Sequence, residues 1–179
     1  MRGRFIVWSG AVCAVALGCA TGNQPSAASE AQRWRTLTND RVGFSLSYPR
    51  GWHVTGKVVA TQFAAGASCQ TVRVVDYTSP SFVRQSYVQL CWKRITDGSP
   101  LAVFMRRTYG ARLSRFFVRI SLGGRPAYRS RGQNTNRTFF VQSAEYRIQI
   151  VAGVVASPAR RPVRLAQVNR ILRSFSVTS

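Results

Sequence analysis

From residue 116 to residue 152 the chain reads as four short runs in which apolar and polar residues alternate. That pattern admits little besides an antiparallel sheet. Phe116, Val118, Ile120 and Leu122 share one face of the first run. Gly123-Gly124 supplies a tight hairpin turn, and Ala127 to Arg131 returns. Gln133 to Asn136 forms a polar loop. Thr138 to Gln142 and Tyr146 to Ala152 make a second hairpin. In its last strand Tyr146, Ile148 and Ile150 share a face, while Arg147 and Gln149 point the other way.

Phe44, Leu46 and Tyr48 alternate with Ser45 and Ser47 as in a half-buried strand. Pro49-Arg50-Gly51 turns the chain, and Trp52 and Val54 begin another extended segment. Ser99-Pro100 reads as a helix start, a capping hydroxyl followed by proline at the first helical position. Leu101, Phe104, Met105 and Tyr109 then recur at helical spacing, and Gly110 is the stop. A final helix runs from about Pro162 to Arg173, with Leu165, Val168, Ile171, Leu172 and Phe175 on one side. Strands, helix, strand meander and helix, in that order, predict an α+β domain: an antiparallel sheet flanked by helices.

The first residues carry a different signal. Arg2 and Arg4 precede an apolar run from Phe5 to Leu17, and Ala16-Leu17-Gly18 leads into Cys19. A basic leader, an apolar stretch and small residues at its end read as a secretory signal. The run is too short for a helical membrane span, which needs roughly 20 residues. The small residue before Cys19 resembles the bacterial lipobox, in which the cysteine is lipidated and becomes the first mature residue. The expected division is therefore residues 1–18 as leader, 19–34 as a flexible tether rich in Ala, Ser, Gly and Gln, and 35–179 as one domain. Such a chain is held to a bacterial membrane from outside the cytoplasm. Cys13 lies inside the leader and leaves with it.

There are 26 Lys plus Arg against 5 Asp plus Glu, and Lys57 and Lys93 are the only lysines. Loss of Arg2 and Arg4 takes the net charge from +21 to +19. Such a surface attracts anionic lipid headgroups or acidic envelope polymers; nucleic acid is not an expected partner of an exported chain. Cys69 and Cys91 remain after processing, and an exported compartment permits a disulfide. Cys69 to Tyr77 and Val83 to Lys93 read as paired strands. A hairpin symmetric about Pro80 sets Val72 against Val88, Arg73 against Tyr87 and Cys69 against Cys91, within bridging distance.

Three segments resemble the PsbP-like family: GFSLSYPRGW (Gly43 to Trp52), SLGGRPAYRS (Ser121 to Ser130) and RILRSFSV (Arg170 to Val177). With the order of elements they span about residues 36 to 177. The resemblance implies an α/β/α sandwich around an antiparallel sheet, and mostly non-enzymatic binding or assembly roles. It fixes no single activity. The cysteine pair and the strong basicity depart from the family's general pattern.

The inventory points away from catalysis. Beyond the leader the carboxylates are Glu30, Asp40, Asp76, Asp97 and Glu145, with no paired acid and base spacing among them. His53 is the sole histidine, so neither a metal centre nor a cofactor is expected. An enzyme centred on His53 is the third and weakest reading. The local binding candidate is the approach to the final helix, where Arg160, Arg161 and Arg164 surround Pro162 and would hold an anion against free backbone amides. Arg106, Arg107, Arg112 and Arg115 form a second cluster. The expected function is a membrane-anchored, non-catalytic lipoprotein that binds or assembles an envelope component. The alternative is a carrier or sensor of an anionic lipid or polymer.

Overall fold

A computed structural model describes residues 34–56, 70–76, 85–132 and 136–178. The leader with Cys19, the tether, and Cys69 lie outside the described residues. The strands are β1 (Trp34–Asn39), β2 (Phe44–Pro49), β3 (Trp52–Thr55), β4 (Gln70–Asp76) and β5 (Tyr87–Arg94), then β6 (Phe117–Leu122), β7 (Arg125–Ser130), β8 (Asn136–Gln142), β9 (Tyr146–Gly153) and β10 (Ser176–Val177). Helix α1 (Leu101–Tyr109) runs through a 3-10 turn, Gly110–Arg112, into the short α2 (Leu113–Phe116), and α3 (Arg161–Ser174) precedes β10. No described helix is long and apolar enough to cross a membrane.

Seven strands form one antiparallel sheet in the order β3-β4-β5-β9-β8-β7-β6, and β2 joins β1 and β10 in a separate three-stranded sheet. Alternation along the strands sorts side chains to the two faces of the large sheet. Leu90, Trp92, Phe139, Val141, Ile148 and Ile150 face a core shared with Phe44 and Leu46 of β2 and with Val168, Ile171, Leu172 and Phe175. On the other face Cys91, Tyr128 and Phe140 meet Leu101, Met105 and Phe117. The predicted α+β class is therefore correct, with α1 on one face and α3 plus the small sheet on the other. Gly123 and Gly124 take φ of +60° and +76° in the β6–β7 turn. A Cβ on Gly123 would lie 3.0 Å from the backbone of Ser176 and Val177, so both turn and close approach require glycine there.

Three expectations need correction. The β4–β5 register sets Thr71 against Cys91, Val72 against Leu90 and Val74 against Val88, two residues away from the symmetric hairpin. The residue opposite Cys91 is therefore Thr71, while Cys69 lies outside the described residues. Ser99 does not cap α1: the N-cap is Pro100, without a side-chain bond. The Ser99 hydroxyl instead donates to Asp97 at 2.8 Å and accepts from Arg147 at 2.6 Å. Phe116 is not a sheet residue either. It ends α2 and is 45% exposed, while Phe117 turns inward against Tyr109 and Phe140. β1 and β10 had no sequence counterpart.

Candidate functional site

Helix α3 packs mainly on β2 and β5, so its flank stands over β6, β7 and β8 without closing on them. The gap is a cleft of about 470 Å³. Phe139 and Leu172 supply buried apolar floor and wall, with Ile120 and Leu122 beside them. Three arginines enter it. Arg129 of β7 is registered between Val118 and Phe139. Arg137 of β8 stands two residues before Phe139 and so shares its face. Arg173 comes from the last turn of α3, where a cation is also favoured by the helix dipole.

Arg137 is the most constrained of the three. Its Nη2 donates to Oδ1 of Asn169 on α3, while its buried Nε finds no acceptor among the described residues. Burial lowers its pKa, and the charge of Arg129 on the neighbouring strand lowers it further. No lining residue is acidic. Elsewhere Asp76 pairs with Arg164, Asp97 with Arg107 and Arg147, and Glu145 with Arg94. The site thus sets one held arginine, Arg137, and two exposed ones, Arg129 and Arg173, beside an apolar floor, with no carboxylate in its lining. Guanidinium forks suit a carboxylate or phosphate.

The arginines expected around Pro162 do not converge. Arg160 and Arg161 are exposed at the start of α3. Arg164 turns inward, with Nε 2.8 Å from Oδ2 of the buried Asp76, Nη1 donating to Gln167 at 2.8 Å, and its guanidinium 5.9 Å from the Trp52 ring. The Arg161 amide donates to Ser157, and Pro162 has none to offer. A helix N-terminus so occupied does not gather the three cations around one anion. Arg106, Arg107, Arg112 and Arg115 are exposed around α1 and α2. His53 is exposed on β3, opposite Val75. Cys91 is buried on the α1 face of β5.

Sequence reading missed Arg129, Arg137, Arg173 and Asn169. One signal was available. The 47 residues from 98 to 144 contain nine arginines and no carboxylate, and two of those arginines occupy positions in step with core residues, Arg129 with Ala127 and Arg137 with Phe139 and Val141.

Helices on both faces of an antiparallel sheet form the sandwich that the PsbP-like resemblance implied, and the fold is PsbP-like. The chain is similar to the solution structure of cyanobacterial PsbP (CyanoP) from Synechocystis sp. PCC 6803, over 81% of this chain and 92% of that one, at a TM-score of 0.51 and 13% identity. It is also similar to the crystal structure of LpqN, involved in cell envelope biogenesis of Mycobacterium tuberculosis, over 88% of this chain and 100% of that one, at a TM-score of 0.50 and 13% identity. At such identity the likeness is one of fold. No protein-family model matches the chain, and no curated protein matches its sequence.

Proposed function

We propose that the chain is a non-catalytic binding protein of the bacterial cell envelope that receives an anionic component in the cleft between α3 and β6–β8. The observation that carries this reading is the convergence of Arg129, Arg137 and Arg173 on a cleft without a carboxylate. The envelope location draws on the leader and on the structural neighbour involved in cell envelope biogenesis. The non-catalytic reading draws on the sequence, in which the carboxylates show no paired acid and base spacing, and on the ion pairs that Asp76, Asp97 and Glu145 make with arginines.

The test is titration of the full chain with inorganic phosphate and with sn-glycerol 3-phosphate. Binding should weaken as salt rises. Arg137→Gln should reduce affinity about 10- to 100-fold, the worth of a charged hydrogen bond in a partly dry site. Unchanged affinity in Arg137→Gln would overturn the cleft as the binding site.

In this reading a lipid on Cys19 holds the domain to the membrane, and Cys69 bridges Cys91. Mass spectrometry of the membrane fraction should find a lipid-modified Cys19 at a new N-terminus, and thiol labelling of denatured, unreduced protein should leave both cysteines unlabelled. An unmodified soluble product, or two labels, would remove the anchor or the bridge respectively.

A further inference from the structure

On the face of the sheet opposite the cleft, the end of α1, the 3-10 turn and α2 build a second surface of different chemistry. Phe116 is 45% exposed there. It borders an apolar recess of about 440 Å³ shared with Tyr109 and Phe117, and Arg115 and Arg131 stand at its mouth. Arg131 is held in place by a bond from its Nε to the Ser114 carbonyl at 2.9 Å. Arg112 is exposed one short turn away.

A single exposed phenylalanine is ordinary. This one is the exposed large aromatic among the described residues, it tops an apolar recess, and it stands in the stretch of chain that lacks any carboxylate. Asp97, the nearest acidic residue in sequence on that side, is already paired with Arg107 and Arg147. An aromatic ring ringed by guanidinium groups matches the two layers of an anionic bilayer surface: acyl boundary for the ring, phosphates for the cations.

We propose that this surface seats the domain on an anionic membrane, with Phe116 entering the headgroup region and Arg112, Arg115 and Arg131 meeting lipid phosphates. The seat uses none of the cleft residues, so it stands or falls independently of the anion site.

The experiment uses the full chain in vesicles of phosphatidylcholine mixed with phosphatidylglycerol, with the photoreactive residue p-benzoylphenylalanine replacing Phe116. Illumination should yield lipid adducts. The same residue at Val163, exposed at the start of α3, should yield far fewer. Arg115→Gln in the Phe116-labelled chain should lower the adduct yield roughly fivefold, the effect of one arginine near a charged membrane surface. Raised salt should lower it as well. Absence of lipid adducts at position 116, or equal yields at positions 116 and 163, would overturn the proposal. So would adducts formed chiefly with a second copy of the chain, which would make the patch a self-association surface.

Discussion

Phe44→Ala should destabilise the domain by about 4 kcal/mol, the usual range for removing a fully buried aromatic ring. Phe44 belongs to the small sheet yet is completely buried, and its ring lies 5.7 Å from that of Trp92 and 6.2 Å from that of Phe175. One side chain therefore joins β2, the centre of the large sheet and the end of α3. Neighbours anchored in three separate elements cannot all collapse into the void, so the cavity penalty adds to the lost transfer energy. The loss is a large share of the roughly 5–15 kcal/mol that holds a domain folded. Urea unfolding of the wild type and the variant measures it. A change below about 1 kcal/mol would mean that Phe44 is not the junction described.

Arg147→Met should cost about 2 kcal/mol, through loss of the charged hydrogen bonds that the buried guanidinium makes to Asp97 and Ser99. The sequence places Arg147 on the strand face opposite Ile148, and alternation predicts it to point away from them, which it does. What alternation does not convey is that this second face is covered. Arg147 is 8% exposed beneath α1, where Nη2 bonds to Asp97 at 2.7 Å and to the Ser99 carbonyl at 2.8 Å, with the Phe104 ring 4.5 Å away. The cluster fixes the start of α1 to β9 in place of a side-chain cap. Hydrogen bonds from Arg147 and Ser99 hold the Asp97 carboxyl well below its usual range. A carboxyl depressed in the folded state stabilises above its unfolded pKa, near 4, and loses that contribution as pH falls further. Wild-type stability should therefore fall more steeply below about pH 4 than the remaining carboxylates alone would make it fall. Asp97→Asn should flatten the dependence below about pH 4. An identical acid profile in Asp97→Asn would show that the pair does not contribute.

The elements with strong local patterns were legible. β2 and the strands from β6 to β9 alternate, and α1 and α3 carry apolar residues at helical spacing. The β4–β5 register was not, for a specific reason. An offset of two residues leaves every side chain on its original face, so apolar still meets apolar and the pattern cannot distinguish the alternatives. β4 ends at Asp76 and β5 starts at Tyr87, which breaks the symmetry assumed about Pro80. β1 was missed because it is a half-exposed edge strand with little contrast between its faces. The cleft was missed because Arg129, Arg137 and Arg173 converge only once α3 is placed over the β6–β8 corner, and no local rule places it there. Arg160, Arg161 and Arg164 looked convergent because they are near in sequence. The helical turn then separates them, and Asp76, 88 positions upstream of Arg164, claims the inward one.

Ser176 and Val177 close the small sheet by pairing with Ser45 and Phe44, and the Thr178 amide bonds back to Gly43. β2 thus completes its hydrogen bonding with a strand 131 positions further along the chain. During vectorial emergence, amino end first, β2 keeps one margin unzipped until β10 has followed it. Closure of the small sheet therefore joins two segments that no shorter piece of the domain can bring together.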